Sequence, residues 1–315
     1  MILESPELVK NPLVSVRVLA YNHERFIGQC LESIVSQKTQ FEFEIVIGED
    51  CSKDSTFEIC KRYQALYPNL IKLIHNDTNK GLVENFLNVN SVLRGKYVAA
   101  CAGDDFWTDP FKLQRQVDIL LQNEDVVTVF TNAMSVDENG NVLKDAFDIV
   151  PGNKSGSYTL HDFLRDRHSY MPLTILYKRE AAEKTSTMYD SLKNPFLEDW
   201  TFWVCLGTVG DFYFLNKTTA AYRINPNSIT HTCDTVNRWK EDFKIRKNLI
   251  KALPADYHKY FNNSQHTYFM LAMAYRKKSR YIRMGICFLC SFFCSPAKFV
   301  KELSKTLRIR NTAIN

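Results

Sequence analysis

The chain has 315 residues, 45% hydrophobic and 24% charged, a globular composition that excludes a disordered or fibrous polypeptide and suits one large domain or a domain with an appendage. Its net charge of +5 conceals a split: Asn237 to the end holds 17 Lys+Arg against 4 Asp+Glu, whereas Met1 to Val236 holds 23 against 31, the pattern of a neutral-to-acidic catalytic body with a basic tail for an anionic surface. Nine scattered cysteines, odd in number, argue against a disulfide framework and for a reducing cytoplasm, and residues 1–11 lack the apolar stretch of a signal peptide.

Val14 to Tyr21 is a β-branched run that predicts a buried first strand, with Asn22-His23 as the turn. Phe26, Ile27, Cys30, Leu31, Ile34 and Val35 then recur at helical spacing. Phe43 to Gly48 predicts a second strand, stopping at Glu49-Asp50, and Asp54 or Ser55 can cap a helix that Pro68 ends. Ile71 to His75 is the third strand, Asn79-Lys80-Gly81 a turn, and Leu82 to Leu93 another amphipathic helix. Tyr97 to Ala102 is the fourth strand; it ends in Gly103-Asp104-Asp105, and Asp109-Pro110 opens the next helix. Strands alternating with helices in this way predict βαβ units on a parallel sheet.

After Gln122 the pattern changes. Val126 to Val136 predicts a strand, Asp137 to Gly140 a hairpin turn, and Gly152 to Ser157 a loop. Leu160 to Asp166 reads as a helix, Leu173 to Tyr177 as a strand and Phe196 to Leu206 as a helix. Phe212 to Leu215 and Ala220 to Ile224 read as two short strands, and the chain from Asn237 on reads as helical. There is no dinucleotide Gly-rich fingerprint, P-loop or repeat.

Ligands of open α/β sheets lie across the carboxyl ends of the strands, and Tyr21, Asp50, Asn76 and Asp104-Asp105 all fall there. Two adjacent carboxylates leaving a buried strand are costly without a positive partner, and a hard divalent cation with a phosphorylated ligand supplies one. The same pair also suits a turn with a helix cap. Asp50 can accept from the N–H of a base, or serve as a turn residue; Tyr21 can lie against a base or line the rim. Asp199, beside Glu198 in the first turn of an aromatic helix, is placed like a general base near a sugar, although acids there also answer the helix dipole. Arg223 can meet a diphosphate or sit in a surface loop. Cys287, Cys290 and Cys294 lie in an apolar helix and read as small hydrophobes rather than metal ligands. Met284 to Cys294 is nearly all apolar with Lys and Arg on both sides, too short for a span of ~20 residues. That segment suits either an interfacial helix or one packed on the body.

With these positions in place, the chain resembles a family-2 glycosyltransferase of the GT-A fold over about residues 12 to 231. The matching segments are 14–22, 32–37, 44–56, Asn79-Lys80-Gly81 with Asn85, 95–98, Gly-Asp-Asp-Phe-Trp-Thr-Asp-Pro-Phe-Lys-Leu-Gln-Arg-Gln at 103–116, Glu198-Asp199-Trp200 and 222–229. The resemblance implies an α/β fold with a mixed, mainly parallel sheet and a C-terminal helical extension. It implies inverting sugar transfer from a nucleotide-sugar donor, a UDP-sugar foremost, to a glycan or lipid-linked acceptor in surface polysaccharide synthesis. Asp50 would bind the base, Asp104 the ribose, and Asp105 a Mg²⁺ or Mn²⁺ bridging the diphosphate. Asp199 would be the catalytic base, with Tyr21, Asn76 and Arg223 also at the donor. Two departures stand out: Glu49 replaces the first acid of the usual Asp-Asp pair, and Asn225 occupies the place of a histidine, for which His231 is the nearest substitute.

The expected organisation is a glycosyltransferase domain over 1–236, with a nucleotide-binding half at about 12–122 and an acceptor half at about 123–236, followed by a basic helical extension at 237–315. The protein is expected in the cytoplasm, peripheral to the inner face of the membrane through residues 281–315, with no nucleic-acid partner because no recognition motif accompanies the basic tail. A nucleotidyltransferase would share the crevice, but its glycine-rich loop is missing from Ala20-Tyr21-Asn22-His23-Glu24. A catalytically inactive sugar- or nucleotide-binding partner of a glycan assembly complex would not need Asp50, Asp105 and Asp199 together.

Overall fold

The computed structural model describes residues 1–166, 170–192, 198–224, 234–261 and 265–312. They fall into two compact units: Met1–Tyr189 with Phe202–Pro226, and Asp190–Thr201 with Asn227–Asn315. The first unit is a mixed sheet flanked by helices. Its elements begin with β1 (Ile2–Leu3), β2 (Val14–Ala20), α1 (Ile27–Val35), β3 (Phe43–Glu49), α2 (Thr56–Leu66), β4 (Ile71–His75), α3 (Leu82–Asn90), β5 (Tyr97–Ala102), β6 (Phe106–Trp107) and α4 (Lys112–Gln122). There follow β7 (Val126–Val136), β8 (Val142–Lys144), β9 (Gly156–Tyr158), α5 (Leu160–Asp166), β10 (Leu176–Lys178), α6 (Arg179–Lys184), α7 (Ser186–Leu192), α8 (Glu198–Leu206) and β11 (Asp211–Arg223).

The sheet order is β1-β4-β3-β2-β5-β10-β7-β11-β6, with β8 on β7 and β9 on β11. β4, β3, β2 and β5 are mutually parallel, as the alternation of strands and helices requires. Helices cover both faces of this half, so β2 and β3 are buried almost throughout instead of alternating. Ile27, Cys30, Leu31 and Ile34 of α1 repeat at one-turn spacing and all enter this core. The register sets Ala20, Glu49 and His75 abreast, with Leu19 opposite Ala102, so four strands end along one line.

The other half of the sheet departs from the sequence reading in instructive ways. Leu173 lies in a 3₁₀ turn (Pro172–Thr174), and the strand itself is Leu176–Lys178, antiparallel to both β5 and β7. The two strands expected after Gly210 are one strand, β11, which runs parallel to β7 through irregularities between Leu215 and Ala220. Part of the expected loop at 152–157 pairs with β11 as β9. β6 pairs antiparallel with β11, Ala220 with Trp107 and Ala221 with Phe106, and this brings the far end of β11 beside the exit of β5.

The second unit contains the end of α7, the start of α8 and the helices Thr235–Ala252, Gln265–Lys277, Tyr281–Cys294 and Pro296–Thr312. Val236, Leu271, Ala272, Ala274, Tyr275 and Cys287 form its core, with Trp239, Met284 and Phe288 packed on it. No helix among the described residues is long and apolar enough to cross a membrane.

Candidate active site

The site is built where β2, β3, β4 and β5 end. Their exit loops are fastened to one another through the main chain. Asp50 N donates to Ala20 O at 3.0 Å, Asn76 N to Glu49 O at 3.0 Å, and Gly103 N to Leu19 O at 2.9 Å. The loops after β2 and β3 also interlock. Asn22 N donates to Ser52 Oγ and Lys53 N to Asn22 Oδ1, while His23 N donates to Thr56 Oγ1 and Glu24 N to Asp54 Oδ2. Ser55 takes the N-cap position of α2 without a side-chain hydrogen bond, and Asp54 before it accepts from Thr56 N at 3.0 Å. At α4 the helix begins two residues later than its Asp109-Pro110 signal, at Lys112, and Asp109 Oδ1 receives Phe111 N at 3.0 Å.

Asp50 is buried. Its Oδ1 accepts from Asn76 Nδ2 and Lys80 N, both at 2.8 Å, and its Oδ2 from Gly81 N at 2.9 Å. A carboxylate has about four acceptor positions, so among the described residues one on Oδ2 is left for a further donor. Gly81 has φ +80, a conformation only glycine adopts readily, and this turns its N–H toward Asp50. Asn76 also donates to Asn85 Oδ1 at 3.1 Å, so both hydrogens of its amide serve to hold Asp50 and α3 together. Tyr21 is half-buried one residue beyond β2 on the same line of strand ends.

Asp104 and Asp105 leave β5 differently. Asp105 is 5% exposed, and its Oδ1 accepts from Arg223 N at 2.8 Å. Burial, reinforced by the neighbouring Asp104 carboxylate, pushes its carboxyl well above the usual carboxylate range, with Arg223 pulling the other way. Asp104 is half-buried, and its Oδ2 lies 3.9 Å from His23 Nε2. His23 Nδ1 is buried without a hydrogen-bond partner among the described residues, and it sits 2.7 Å from where a side chain on Gly103 would begin. The approach of His23 to the acid pair is a feature that the sequence, which placed His23 in a turn, did not reveal; the glycine before the two acids is its only trace.

Arg223 is 3% exposed, and its guanidinium is taken up by protein oxygens. Nε donates to Asp104 O at 2.9 Å, Nη1 to Asp137 O and Glu138 O at 3.1 Å, and Nη2 to Gln29 Oε1 at 2.6 Å. Its guanidinium carbon lies over the rings of Phe26 and Phe106, 4.6 and 5.4 Å from their centroids. Arg223 thus joins the β5 exit, the β7–β8 turn and α1, and it meets the acid pair through its main chain and the Asp104 carbonyl. Lys112, at the start of α4, is fully buried, donates to Gln116 Oε1 at 2.6 Å, and stands over Trp107 at 4.5 Å. Burial lowers its ammonium to about 7.

Asp199 is exposed in the first turn of α8, within the second unit. Phe202 and Trp203 of the same helix are buried against Tyr177, Tyr189 and Phe130, so those rings belong to the core of the first unit rather than to a sugar platform. Phe196, Asn225 and His231 lie outside the described residues.

The family model described as Glycosyl transferase family 2 matches residues 15–186, more than half of the chain. The chain belongs to glycosyltransferase family 2. An uncharacterized protein of Mycobacterium tuberculosis is 32% identical over 226 residues, 71% of this chain and 62% of its own length; the chain therefore spans less than two thirds of that relative. Chondroitin synthase of Escherichia coli is 26% identical over 217 residues, 68% of this chain and 29% of that one. Among solved structures, TarS of S. aureus in complex with UDP-GlcNAc superposes with a TM-score of 0.63 at 18% identity, covering 87% of this chain and 80% of TarS. The mannosyltransferase PcManGT of Pyrobaculum calidifontis, in complex with GDP-Man and Mn²⁺, superposes at 0.59 and 14% identity over 98% of this chain and 82% of its own. The glycosyltransferase fold is therefore GT-A.

The acid pair suits a cation that shares its coordination with substrate. Among the described residues no group of three or more His, Cys, Asp and Glu could hold a metal unaided. Mg²⁺ and related ions are commonly bound through one or two carboxylates with phosphate oxygens and waters completing the shell, and Asp105 with Asp104 supplies that number.

Proposed function

We propose that this family-2 glycosyltransferase moves a sugar, with inversion, from a UDP-sugar to a glycan or lipid-linked oligosaccharide acceptor in surface polysaccharide synthesis, at the inner face of the cytoplasmic membrane. The observation that carries the reading is the pair of buried Asp105 and half-buried Asp104 at the exit of β5, with Asp50 held by Asn76, Lys80 and Gly81 at the exit of β3 on the same line of strand ends. The UDP-GlcNAc complex of TarS supports the donor class, and the name chondroitin synthase supports a polysaccharide acceptor. In this reading 1–236 is the catalytic domain and 237–315 the basic extension. Asp50 receives the base through its remaining acceptor, with Asn76 holding it and Tyr21 at the rim, and Asp104 meets the ribose. Asp105 holds Mg²⁺ or Mn²⁺, which when bound neutralises charge on the diphosphate. Arg223 serves the donor by fixing Asp105 and the loop that carries it. Asp199 takes the proton from the acceptor hydroxyl as that oxygen attacks the anomeric carbon. The bond from this carbon to the diphosphate breaks on the opposite face, so the product is inverted and a nucleoside diphosphate leaves.

A panel of nucleotide sugars tested for thermal stabilisation with and without Mn²⁺ examines this directly. A ligand at 100 times its dissociation constant adds ~2.7 kcal/mol. UDP-sugars should stabilise the protein in the presence of the cation, and the Asp105→Ala variant should lose the effect. Absence of stabilisation by every nucleotide sugar would overturn the proposal.

A further inference from the structure

We propose that the outer face of the helix Tyr281–Cys294 docks on an anionic lipid surface, with Ile282, Ile286, Leu289 and Phe293 entering the interface and the adjoining basic residues meeting the headgroups. This deepens the reading that residues 281–315 face a membrane, and it rests on that reading. The four side chains follow one another at intervals of four, three and four residues, so they form a single stripe along the helix. They are 82, 55, 60 and 78% exposed. The opposite face is already occupied: Cys287 lies in the core with Leu271 and Tyr275, Met284 and Phe288 pack on it, and Ser291 is buried. A helix packed on a soluble body normally presents polar residues outward, whereas this one is apolar on both faces, and a contiguous exposed apolar stripe marks a surface that binds something.

The charges around the stripe select the occupant. Gln265 to Thr312 holds ten Lys+Arg and a single acid, Glu302. Lys277, Lys278 and Arg280 are exposed before the helix, Arg283 on its first turn, and Lys298 and Lys301 just after it; Lys278 also pairs with Asp234 at 2.8 Å. A two-fold contact with a second copy would set these cations against themselves. A nucleic acid would use the charges and leave the stripe in water. An anionic bilayer uses both, and 14 residues are too few to span it.

The test is co-sedimentation of the full chain with phosphatidylcholine vesicles, with or without phosphatidylglycerol, at low and high salt. One variant combines Ile282→Gln, Ile286→Gln, Leu289→Gln and Phe293→Gln; a second combines Arg280→Glu, Lys298→Glu and Lys301→Glu, exposed positions outside the core of the unit. Binding should require phosphatidylglycerol, weaken with salt, and fall about tenfold or more in either variant. Nucleotide-sugar stabilisation on the same samples reads the donor site separately, so loss of one property is distinguishable from loss of the other. Three results overturn the proposal: no sedimentation of the wild-type chain with anionic vesicles, undiminished binding by both variants, or a wild-type dimer that the glutamine variant converts to monomer while neither form binds vesicles.

Discussion

The main-chain N–H of Arg223 donates to Oδ1 of Asp105 at 2.8 Å, joining the end of β11 to the exit of β5 across 118 positions of sequence. The bond exists because β6 pairs with β11: once Ala221 stands opposite Phe106, the chain two residues on reaches Asp105. This is the only donor recorded for a carboxyl group that is buried beside a second acid, among the described residues.

From that arrangement Asp105→Asn should stabilise the metal-free protein at neutral pH while abolishing cation-dependent donor binding. The sign follows from the raised proton affinity of Asp105. Its contribution to stability is present at acid pH and is lost as pH rises from the unfolded value of 3.8 through the higher folded value. An amide can still accept from Arg223 N and carries no charge to desolvate. Thermal melts with and without Mn²⁺ check both halves. A variant less stable than wild type at pH 7.5 without metal would contradict the account, as would one retaining Mn²⁺-dependent stabilisation by a nucleotide sugar.

Arg223→Lys should cost about 2–4 kcal/mol and weaken cation binding together, because an ammonium cannot reach the four oxygens that the planar fork serves. Gln29→Ala removes one of those partners and should cost about 1 kcal/mol. Urea unfolding and Mn²⁺ titration of both variants test this. If Arg223→Lys lost donor binding at unchanged stability and Mn²⁺ affinity, the guanidinium would act on the diphosphate directly rather than through Asp105.

Much of the nucleotide half was legible in the sequence, for physical reasons. Buried parallel strands are continuous apolar runs, so β4 and β5 fall where Ile71 to His75 and Tyr97 to Ala102 predict them. α1 was visible because its core residues recur at helical spacing. β11 was not, because Asn216-Lys217-Thr218-Thr219 has loop composition and only the partner strand β7 holds it in the sheet. The partners of Asp50 were equally hidden: two are main-chain N–H groups about 30 positions away, and no spacing rule encodes them. Lys112 lies within 103–116, a segment that carries the family resemblance, but nothing in its type announces a fully buried amine.

That amine makes a pH prediction. With its folded value near 7 and the ordinary lysine value of 10.5 when unfolded, Lys112 leaves the unfolded chain holding more protons between these limits, so its contribution makes stability rise with pH from about 7 upward. The slope from one such group is at most about 1.4 kcal/mol per pH unit. The window to examine is pH 7 to 8.5, below the 9.0 at which ordinary thiols titrate and the buried Cys60 and Cys101 begin to act in the opposite sense. Lys112→Met should flatten this slope, and chemical denaturation at several pH values will show it. An unchanged slope in the variant would assign the dependence to another group.

Asp199→Asn tests the proposed base. Asp50, Asp104 and Asp105, on which donor binding is proposed to rest, are unchanged in this variant, so nucleotide-sugar stabilisation with Mn²⁺ should persist. Transfer to an acceptor should fall by about 10²–10⁴, the range that removal of a positioned general base produces. The loss should lie in kcat, since the amide keeps the shape of the carboxylate and lacks only its capacity to take a proton. Slow hydrolysis of the donor, which has water in place of the acceptor, should fall with it. Transfer at the wild-type rate would remove Asp199 from the mechanism and leave the base to be sought among the other acids, whereas loss of donor stabilisation would mean that the residue supports binding instead.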